Sequence, residues 1–283
     1  MPPGNWHRRL RKDSINGAAC WGRCCPETKI IRESPRHFLR GLRGYEMKTI
    51  ILAGGKGTRL APYTTIFPKP LVPIGDRPIL EIIIRQLVRQ GLGDILLSVG
   101  HLGELIEAYF QNGHRNIPGL TLEYFREKQP LGTAGSLAMI PGLDETFLAM
   151  NGDILTTLNY QSLIQHHRDN QAALTIAMHE KDVKIDLGVL EINERGELTS
   201  YREKPLYSFA VSMGIYVYEP HVLRYMPRGQ YMDFPDLVKL LLHKGEKIVG
   251  FPSQDYWLDI GRREDYELAQ LEFSSRAKEF QVA

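Results

Sequence analysis

Residues 51–71, ILAGGKGTRLAPYTTIFPKPL, join the end of an apolar strand pattern to residue types that bind phosphate groups. Three glycines fall within four positions: Gly54, Gly55 and Gly57. Three cations belong to the same segment: Lys56, Arg59 and Lys69. Backbone N–H groups of glycines can approach phosphate oxygens closely because no Cβ intervenes, and an arginine adds a planar fork for bidentate contacts. The segment therefore predicts a polyanion site, and the alternative is a solvated basic loop.

Two well-known phosphate-binding loops are excluded by the spacing. A Walker A loop requires GxxxxGK followed by Ser or Thr, and Arg59 stands five positions after Gly54. A dinucleotide fingerprint requires GxGxxG, and Leu60 replaces the third glycine. The loop belongs to neither class.

A carboxylate occupies a comparable position farther along the chain. Asp153 closes the apolar run FLAMNGD, which places it at the carboxyl end of a strand, where open α/β sheets bind ligands. The alternative for an aspartate in this position is a cap at a helix N-terminus.

The elements that must position these residues alternate, from Met47 onward, between short apolar runs and amphipathic periodicity. Strands are predicted at 49–53, 94–99, 120–126, 146–150 and 173–178, and helices at 78–91, 102–110, 132–140 and 159–170. The last of these helices is polar, so His166 and His167 are expected to be solvated. The predicted fold class is α/β, with a mostly parallel Rossmann-like sheet sandwiched by helices.

Beyond residue 186 the rhythm changes to an added α+β portion. GVLEINERGELTSYRE predicts two strands around an ERG turn, and VSMGIYVYE predicts another strand. Residues 247–261 are predicted to be extended, between helices at 235–245 and 262–280. Leu268 and Leu271 share one side of the last helix, where they would pack within the subunit or on another copy. A homo-oligomer is therefore left open.

Residues 1–46 differ in composition from the rest of the chain. They carry ten Lys or Arg and four Asp or Glu, include all three cysteines, and lack sustained apolar periodicity. We expect a basic, disordered extension, and we hypothesise that translation starts at Met47. Residues 47–283 are expected to form one domain.

Overall charge and hydropathy restrict the partners. A net charge of +2 over 283 residues gives no reason to expect nucleic acid or a membrane as the main partner. No apolar run reaches the 18 residues of a membrane-spanning helix. The cysteine-free body suits a reducing compartment, so we expect a cytoplasmic protein that binds small molecules.

The string AGGKGTRLAPYTTIFPKPLVPIGDRPIL resembles the N-terminal motif of the sugar-1-phosphate nucleotidyltransferases. The resemblance continues in the family's order through PLGTAGSL, NGD, LGV, REKP, SMGIY and WLDIG, and it covers essentially all of 47–283. It implies transfer of a nucleoside monophosphate from an NTP to a hexose 1-phosphate, with release of pyrophosphate and with Mg²⁺ as cofactor. Such a reaction needs positioning and charge neutralisation rather than a general base, because the attacking phosphate monoester is already anionic near neutrality.

The resemblance also implies roles for individual residues. Arg59, Lys69 and Asp153 are the expected catalytic residues, and Asp153 and Asp259 are the expected metal ligands. Asp259 could instead cap the helix that follows it. The expected nucleotide-binding residues are Ala53, Gly54, Gly55, Gly57, Thr58, Glu127, Gly132 and Thr133. The expected sugar-phosphate-binding residues, in the added α+β portion, are Gly188, Glu203, Lys204 and Gly214.

The nucleobase and the sugar are predicted from fewer residues than the reaction is. Glu127 falls where thymidylyl members of the family usually have glutamine, and a carboxylate offers acceptors only. The guanine edge presents adjacent N–H donors, whereas the thymine or uracil edge is flanked by acceptors. Gln129 is the alternative reader of the base. Because GTAG looks closest to mannose-1-phosphate guanylyltransferases, GTP and mannose 1-phosphate are the predicted substrates.

Other functions stay open beside this prediction. Glucose 1-phosphate with dTTP, UTP or CTP, and a heptose 1-phosphate with GTP, are alternative substrate pairs. A glycosyltransferase is disfavoured because NGD is not the DxD string that usually holds its metal. A non-catalytic subunit that senses sugar nucleotides is the remaining alternative, and retention of Arg59, Lys69, Asp153, Lys204 and Asp259 argues against it.

Overall fold

A computed structural model of the protein describes residues 31–32, 47–111 and 117–280. Apart from the two residues of β1, the segment 1–46 that we expected to be disordered lies outside the described residues, as do its cysteines. The strands are β1 (Ile31–Arg32), β2 (Thr49–Ala53), β3 (Pro73–Ile74), β4 (Arg77–Pro78), β5 (Asp94–Val99), β6 (Thr121–Arg126), β7 (Phe147–Asn151), β8 (Ile154–Thr156), β9 (Leu174–Lys184), β10 (Val189–Ile192), β11 (Leu198–Arg202), β12 (Leu206–Tyr218), β13 (Ile248–Ser253) and β14 (Trp257–Asp259).

Helices and short 3₁₀ turns connect these strands. The α-helices are α1 (Ile79–Arg89), α2 (Gly103–Gln111), α3 (Gly132–Gly135), α4 (Tyr160–Asn170), α5 (Phe234–His243), α6 (Arg263–Ser275) and α7 (Ala277–Phe280). The 3₁₀ turns are Thr58–Leu60, Tyr63–Thr65, Lys69–Leu71, Leu137–Met139 and Pro220–Tyr225. Within the described ranges, no helix has both the length and the apolar character needed to cross a membrane.

The main sheet confirms the predicted mostly parallel α/β fold. Its described strands follow the order β1-β6-β5-β2-β7-β12-β9-β13. The neighbouring pairs β6-β5, β5-β2, β2-β7 and β9-β13 are parallel. The strand β12 runs antiparallel to both β7 and β9, and β1 runs antiparallel to β6. The parallel core therefore places the ends of β2 and β7 side by side, which is where a ligand site is expected.

Alternation along the strands builds a core on each face of the sheet. In β2, Ile51 packs in one buried cluster, which includes the fully buried Ile82 and Ile83 of α1. Ile50 packs in the other cluster, which includes Leu237 and other residues of α5. Strands buried on both faces read as continuous apolar runs, and this explains why TIILA and DILLSV predicted β2 and β5 correctly.

The outer ends of β9 and β12 form a projecting arm, residues 180–211, together with the hairpin β10-β11. Lys184 pairs with Leu206 at the end of the β9-β12 ribbon, and Val189 pairs with Arg202 in the hairpin. Most of its side chains are exposed, including those of Leu190 and Phe209. The hairpin around the ERG turn was predicted correctly, whereas β9 and β12 extend several residues beyond the predicted strands.

Three sequence predictions about helices were wrong. Residues 132–140 do not form one helix: α3 ends at Gly135 and a 3₁₀ turn follows, since glycines are poor helix formers. His167 is buried rather than solvated, because it lies on the inward stripe of α4 with Leu163 and Ile164. The single helix predicted at 262–280 is divided into α6 and α7. The buried residues of α6 are Ala269 and Phe273, whereas Leu268 and Leu271 are exposed in this chain, and their packing on another copy stays a prediction.

Candidate active site

A cleft of about 420 Å³ opens beside the carboxyl ends of β2 and β7. This is the edge at which parallel α/β sheets bind ligands, because loops from neighbouring strands meet there. Ten residues predicted from the sequence line this cleft: Ala53, Gly54, Gly55, Arg59, Lys69, Glu127, Gly132, Thr133, Asp153 and Asp259. Side chains and loops from four distant parts of the sequence are thus brought together.

The glycine loop after β2 packs so closely that side chains would disturb its neighbours. Gly57 has φ +61°, and a Cβ there would lie 2.9 Å from Cβ of Lys69. The hydroxyl of Thr64 donates a hydrogen bond to the carbonyl oxygen of Gly57 at 2.8 Å. At Gly54 an added Cβ would lie 2.9 Å from Oε1 of Glu127. The glycines therefore set the positions of Lys69 and Glu127 as well as exposing backbone to the cleft.

Lys69 forms an ion pair with Asp153 across the cleft floor. Nζ of Lys69 donates to Oδ2 of Asp153, and the lysine side chain is only 10% exposed. Burying a charge is costly unless a partner compensates it, so each residue fixes the other. Oδ1 of Asp153 is buried and has no hydrogen-bond partner among the residues that the structure describes. One carboxylate oxygen thus stays available for a ligand.

The short antiparallel pairing of β8 with β14 brings Asp259 close to Asp153. Asp259 pairs with Ile154, and the backbone N–H of Ile260 donates to the carbonyl oxygen of Asp153 at 3.1 Å. Desolvation by the cleft walls and then the charge of Asp153 raise the pKa of Asp259, and the cations Lys69 and Arg59 oppose this increase. Two carboxylates that repel each other favour a cation between them.

The donor set at this point fits a hard divalent cation. Asp153 supplies the unpartnered oxygen, and Asp259 supplies a second carboxylate that a bound cation would stabilise. Within the described residues, no group of three or more His, Cys, Asp or Glu side chains is arranged to hold a metal. With only two carboxylates, the remaining ligands would be substrate phosphate oxygens and water, as is usual for Mg²⁺.

Glu127 follows β6 and presents a half-buried carboxylate to the cleft. Its Oε1 accepts a hydrogen bond from the hydroxyl of Ser98 at 2.8 Å. Burial raises the pKa of Glu127, while hydrogen bonds from Ser98 and from the backbone N–H of Leu131 lower it. Both donors hold the carboxylate in one orientation beside Gly54.

A second wall of the cleft is built from α3 and the loop before α5. Gly132 has φ +78°, and a Cβ there would lie 2.5 Å from the carbonyl oxygen of Met232. The N–H of Thr133 donates to Oδ1 of Asp233 at 3.2 Å, and its hydroxyl accepts from the N–H of Phe234 at 2.8 Å. These reciprocal bonds hold the loop against α3.

The comparisons with known proteins agree with this geometry. The family described as "Nucleotidyl transferase" matches residues 48–276. This chain belongs to that family. A UTP–glucose-1-phosphate uridylyltransferase from Synechocystis sp. is 35% identical to this chain, over 78% of this chain and 61% of that protein. A mannose-1-phosphate guanylyltransferase from Mycobacterium tuberculosis is 30% identical over 78% of this chain and 63% of that protein. The chain therefore spans less than two thirds of the length of these two relatives.

Two further comparisons involve proteins of similar length to the matched region. A D-glycero-alpha-D-manno-heptose 1-phosphate guanylyltransferase from Aneurinibacillus thermoaerophilus is 32% identical over 80% of this chain and 98% of that protein. The crystal structure of HddC from Yersinia pseudotuberculosis complexed with GMP-PN has a TM-score of 0.62 and 26% identity, covering 80% of this chain and 99% of that one. The chain thus shares its fold with that structure.

Three residues predicted to bind the sugar phosphate lie on the arm, outside the cleft lining. Gly188 and Glu203 flank the hairpin β10-β11, and both contact or closely approach Tyr201. Lys204 adopts φ +43°, a left-handed conformation that is rare for residues other than glycine and is concentrated at functional sites. Gly214 is different, because an added Cβ would lie 2.7 Å from Nδ2 of Asn151, which lines the cleft.

Three other candidate nucleotide-binding residues also lie outside the cleft lining. Thr58 begins the 3₁₀ turn that follows Gly57, and neither residue lines the cleft. Gln129, the alternative base reader, donates to the carbonyl oxygen of Gly229 at 3.2 Å and is also outside the lining.

Sequence reasoning missed the loop that carries Tyr231 and Asp233, both of which line the cleft. The hydroxyl of Tyr231 donates to Oδ2 of Asp233 at 2.6 Å. Asp233 and the following FPD string signal the start of a helix, but nothing local signals that this helix begins beside α3.

Proposed function

We propose that the protein transfers a nucleoside monophosphate from an NTP to a sugar 1-phosphate and releases pyrophosphate. The observation that carries the proposal is the convergence of a glycine loop, Arg59, the Lys69–Asp153 ion pair and Asp259 in one cleft. Cations and a carboxylate pair beside close-packed backbone suit a reaction between two polyanions.

In the proposed reaction, a phosphate oxygen of the sugar 1-phosphate attacks the α-phosphorus of the NTP. A new P–O bond forms there, and the bond from the α-phosphorus to the oxygen that bridges to the β-phosphorus breaks. Pyrophosphate leaves with that oxygen and its electron pair, and no proton needs to be removed from the attacking group. Lys69 would neutralise charge near the reacting phosphorus, and Arg59 would steady the leaving pyrophosphate.

Asp153 and Asp259 would hold Mg²⁺ in this scheme. A bound Mg²⁺ would supply positive charge to the phosphate oxygens. Without a bound cation, Lys69 is the group that neutralises Asp153 in the described structure. The chain's own contribution is therefore to keep both carboxylates and both cations aimed at one point.

GTP is the proposed nucleotide because Glu127 presents acceptors. Its carboxylate is held by Ser98 and by the N–H of Leu131, so its other lone pairs can accept from the N1–H and the amino group of guanine. A uracil or thymine edge offers one N–H between two carbonyl oxygens, which a carboxylate would repel. The 35% identical relative named for UTP and glucose 1-phosphate keeps that pair as the competing candidate.

Mannose 1-phosphate is the proposed sugar substrate, and a heptose 1-phosphate is the alternative. The relatives named for these two sugars are 30% and 32% identical to this chain. Glu203 and Lys204 would contact the sugar hydroxyls and the sugar phosphate respectively. Mannose and the named heptose share the manno ring configuration, so both fit the same class of site.

The experiment that tests this proposal is pyrophosphate release with Mg²⁺ across GTP, dTTP, UTP, CTP and ATP, each with mannose, glucose, N-acetylglucosamine and manno-heptose 1-phosphates. We expect GTP with a manno-configured sugar phosphate to be the productive combination. Turnover with UTP and glucose 1-phosphate would instead reject the base assignment while keeping the reaction. No turnover from folded protein, with ligand-dependent thermal shifts, would favour a sensing subunit.

A further inference from the structure

The hairpin β10-β11 places Gly188, Tyr201 and Glu203 on the same face of the arm. Val189 pairs with Arg202 and Leu190 with Tyr201, so residue 188 lies opposite residue 203. Side chains alternate along a strand, and Tyr201 and Glu203 therefore point to the same side. Two of the three arm residues with predicted sugar roles thus meet around one tyrosine.

Gly188 fits against Tyr201 only because it lacks a side chain. An added Cβ would lie 2.5 Å from the hydroxyl oxygen of Tyr201 and 2.7 Å from its Cζ. Real Cβ atoms do not approach other atoms this closely, so a side chain at position 188 would displace the Tyr201 ring and hydroxyl from their present positions. The glycine of the LGV string is therefore explained by the tyrosine on the neighbouring strand.

Tyr201 also holds the carboxylate of Glu203. Its hydroxyl donates to Oε2 of Glu203 at 2.6 Å, while Oε1 lies 4.0 Å from Nζ of Lys204. Both residues are exposed, so an unrestrained glutamate would sample many rotamers and would lose conformational entropy on being fixed. The tyrosine hydroxyl fixes one oxygen and leaves the other on the side of Lys204.

We propose that Tyr201 is a positioning residue for the sugar phosphate, which orients Glu203 through its hydroxyl and is accommodated by Gly188. The inference rests on the proposed function, because it takes Glu203 as a ligand of the sugar hydroxyls. Orienting the carboxylate before binding lowers the entropic cost of binding the sugar. Tyr201 acts on the sugar through Glu203 and has no role in binding the nucleotide.

The test compares KM values for the two substrates in the full chain. Y201F removes one oxygen and keeps the ring, and we expect the KM for the sugar 1-phosphate to rise roughly tenfold, the effect of one hydrogen bond to a charged group. The KM for the NTP should stay within about twofold, since the nucleotide cleft is unchanged. Y207F is the matched control, because it removes the same oxygen from a second tyrosine of the arm, whose ring packs against Phe209 and under the guanidinium of Arg202.

A double-variant cycle tests whether Tyr201 acts through Glu203. If it does, Y201F combined with E203Q should be no worse than E203Q alone, whereas independent roles would give additive losses. Equal increases in both KM values, or an unchanged KM for the sugar phosphate in Y201F, would overturn the inference.

A readout that needs no turnover separates this inference from the proposed function. The hydrogen bond to Glu203 raises the pKa of the Tyr201 hydroxyl, so that pKa should fall in E203Q when the tyrosine is titrated by ¹³C NMR. No change would show that the contact is absent and would overturn the inference. A change in pKa in a protein that turns over no sugar phosphate would reject the proposed function instead.

Discussion

The cleft and the arm hold their functional residues in opposite ways. In and beside the cleft, Lys69 and Asp153 are largely buried, Gly54 in the lining and Gly57 behind it leave no space for Cβ atoms, and β2 and β7 pair at its edge. In the arm, Glu203 and Lys204 are more than half exposed and are fixed by neighbours within the same hairpin. The proposed phosphate-binding half is therefore built into the core, and the proposed sugar-binding half is attached to it by two strands.

This difference matters for what each region can do. A rigid, partly desolvated cleft suits charge stabilisation, where small displacements of a cation or carboxylate are costly. An exposed hairpin with mostly local contacts can adjust to a bulky polar ligand, and its side chains carry less of the stability of the fold. Substitutions should consequently have large effects in the cleft and small, substrate-specific effects in the arm.

The largest contrast is expected from removing one negative charge in each region. D153N should lower kcat by roughly 10²–10³-fold, because it removes a proposed metal ligand and the partner of Lys69. D186N removes the exposed partner of Lys184 on the arm and should leave kcat within about twofold. Steady-state kinetics with circular dichroism as a check on folding measures both, and equal losses in the two variants would remove the distinction between the regions.

Two glycines with positive φ sharpen the comparison of stability. G57A and G196A both place a Cβ on left-handed backbone, at φ +61° and +79°, which costs about 1–2 kcal/mol. Only Gly57 also faces a neighbour, Cβ of Lys69, whereas the Cβ at position 196 in the arm meets nothing within 4 Å. We expect urea unfolding to show a larger loss for G57A, accompanied by loss of activity. A G57A protein with the stability and kcat of G196A would show that the loop is not tightly packed.

Glutamates at 127 and 203 should separate the two substrates. E127Q adds an N–H donor and removes a charge in the cleft, so the ratio of kcat/KM for GTP to that for UTP should fall by roughly tenfold or more. E203Q should alter the KM for the sugar phosphate and leave the ratio between nucleotides unchanged. Competition assays with both NTPs measure this ratio directly, and an unchanged preference in E127Q would argue that another group reads the base.

The smallest effect concerns His167 of α4, which lies in the core and hydrogen-bonds Thr175 at the beginning of β9. Burial lowers the pKa of His167, and the hydrogen bond to Glu219 only partly opposes this shift. The unfolded chain then binds more protons than the folded protein between the folded pKa and about 6.5, so stability should decrease as the pH falls through that window. Thermal melts from pH 7.5 to 5 should show a weaker pH dependence in H167Q than in the wild type or in H166Q. An identical pH dependence in H167Q would contradict this assignment.

The parallel core was predictable from sequence because its strands are short, apolar and buried on both faces. The end of β2 and the end of β7 gave the positions of the glycine loop and Asp153 directly. Asp259 could be assigned only by resemblance, since the pairing of β8 with β14 joins segments more than a hundred residues apart. Tyr231 and Asp233 were missed for the same physical reason, because the contact of their loop with α3 is also long-range.

Local sequence patterns gave wrong predictions where strand pairing or position on a helix outweighed residue type. The outer half of β9, EKDVK, is charged and alternates weakly, yet it is a strand because β12 pairs with it. His167 follows the helical stripe of Tyr160, Leu163 and Ile164, so its burial could have been predicted from spacing rather than from residue type. The closeness of Gly188 to Tyr201 depends on the register of the hairpin, which the sequence alone does not specify.

The most direct test of the account follows the phosphorus atoms. The protein is incubated with Mg²⁺, a sugar 1-phosphate and GTP labelled with ³²P at either the α or the γ position, and the products are separated chromatographically. The account predicts that the α label appears in a sugar nucleotide and the γ label in pyrophosphate. Transfer of the γ label to the sugar phosphate, or release of the α label as free GMP, would contradict it.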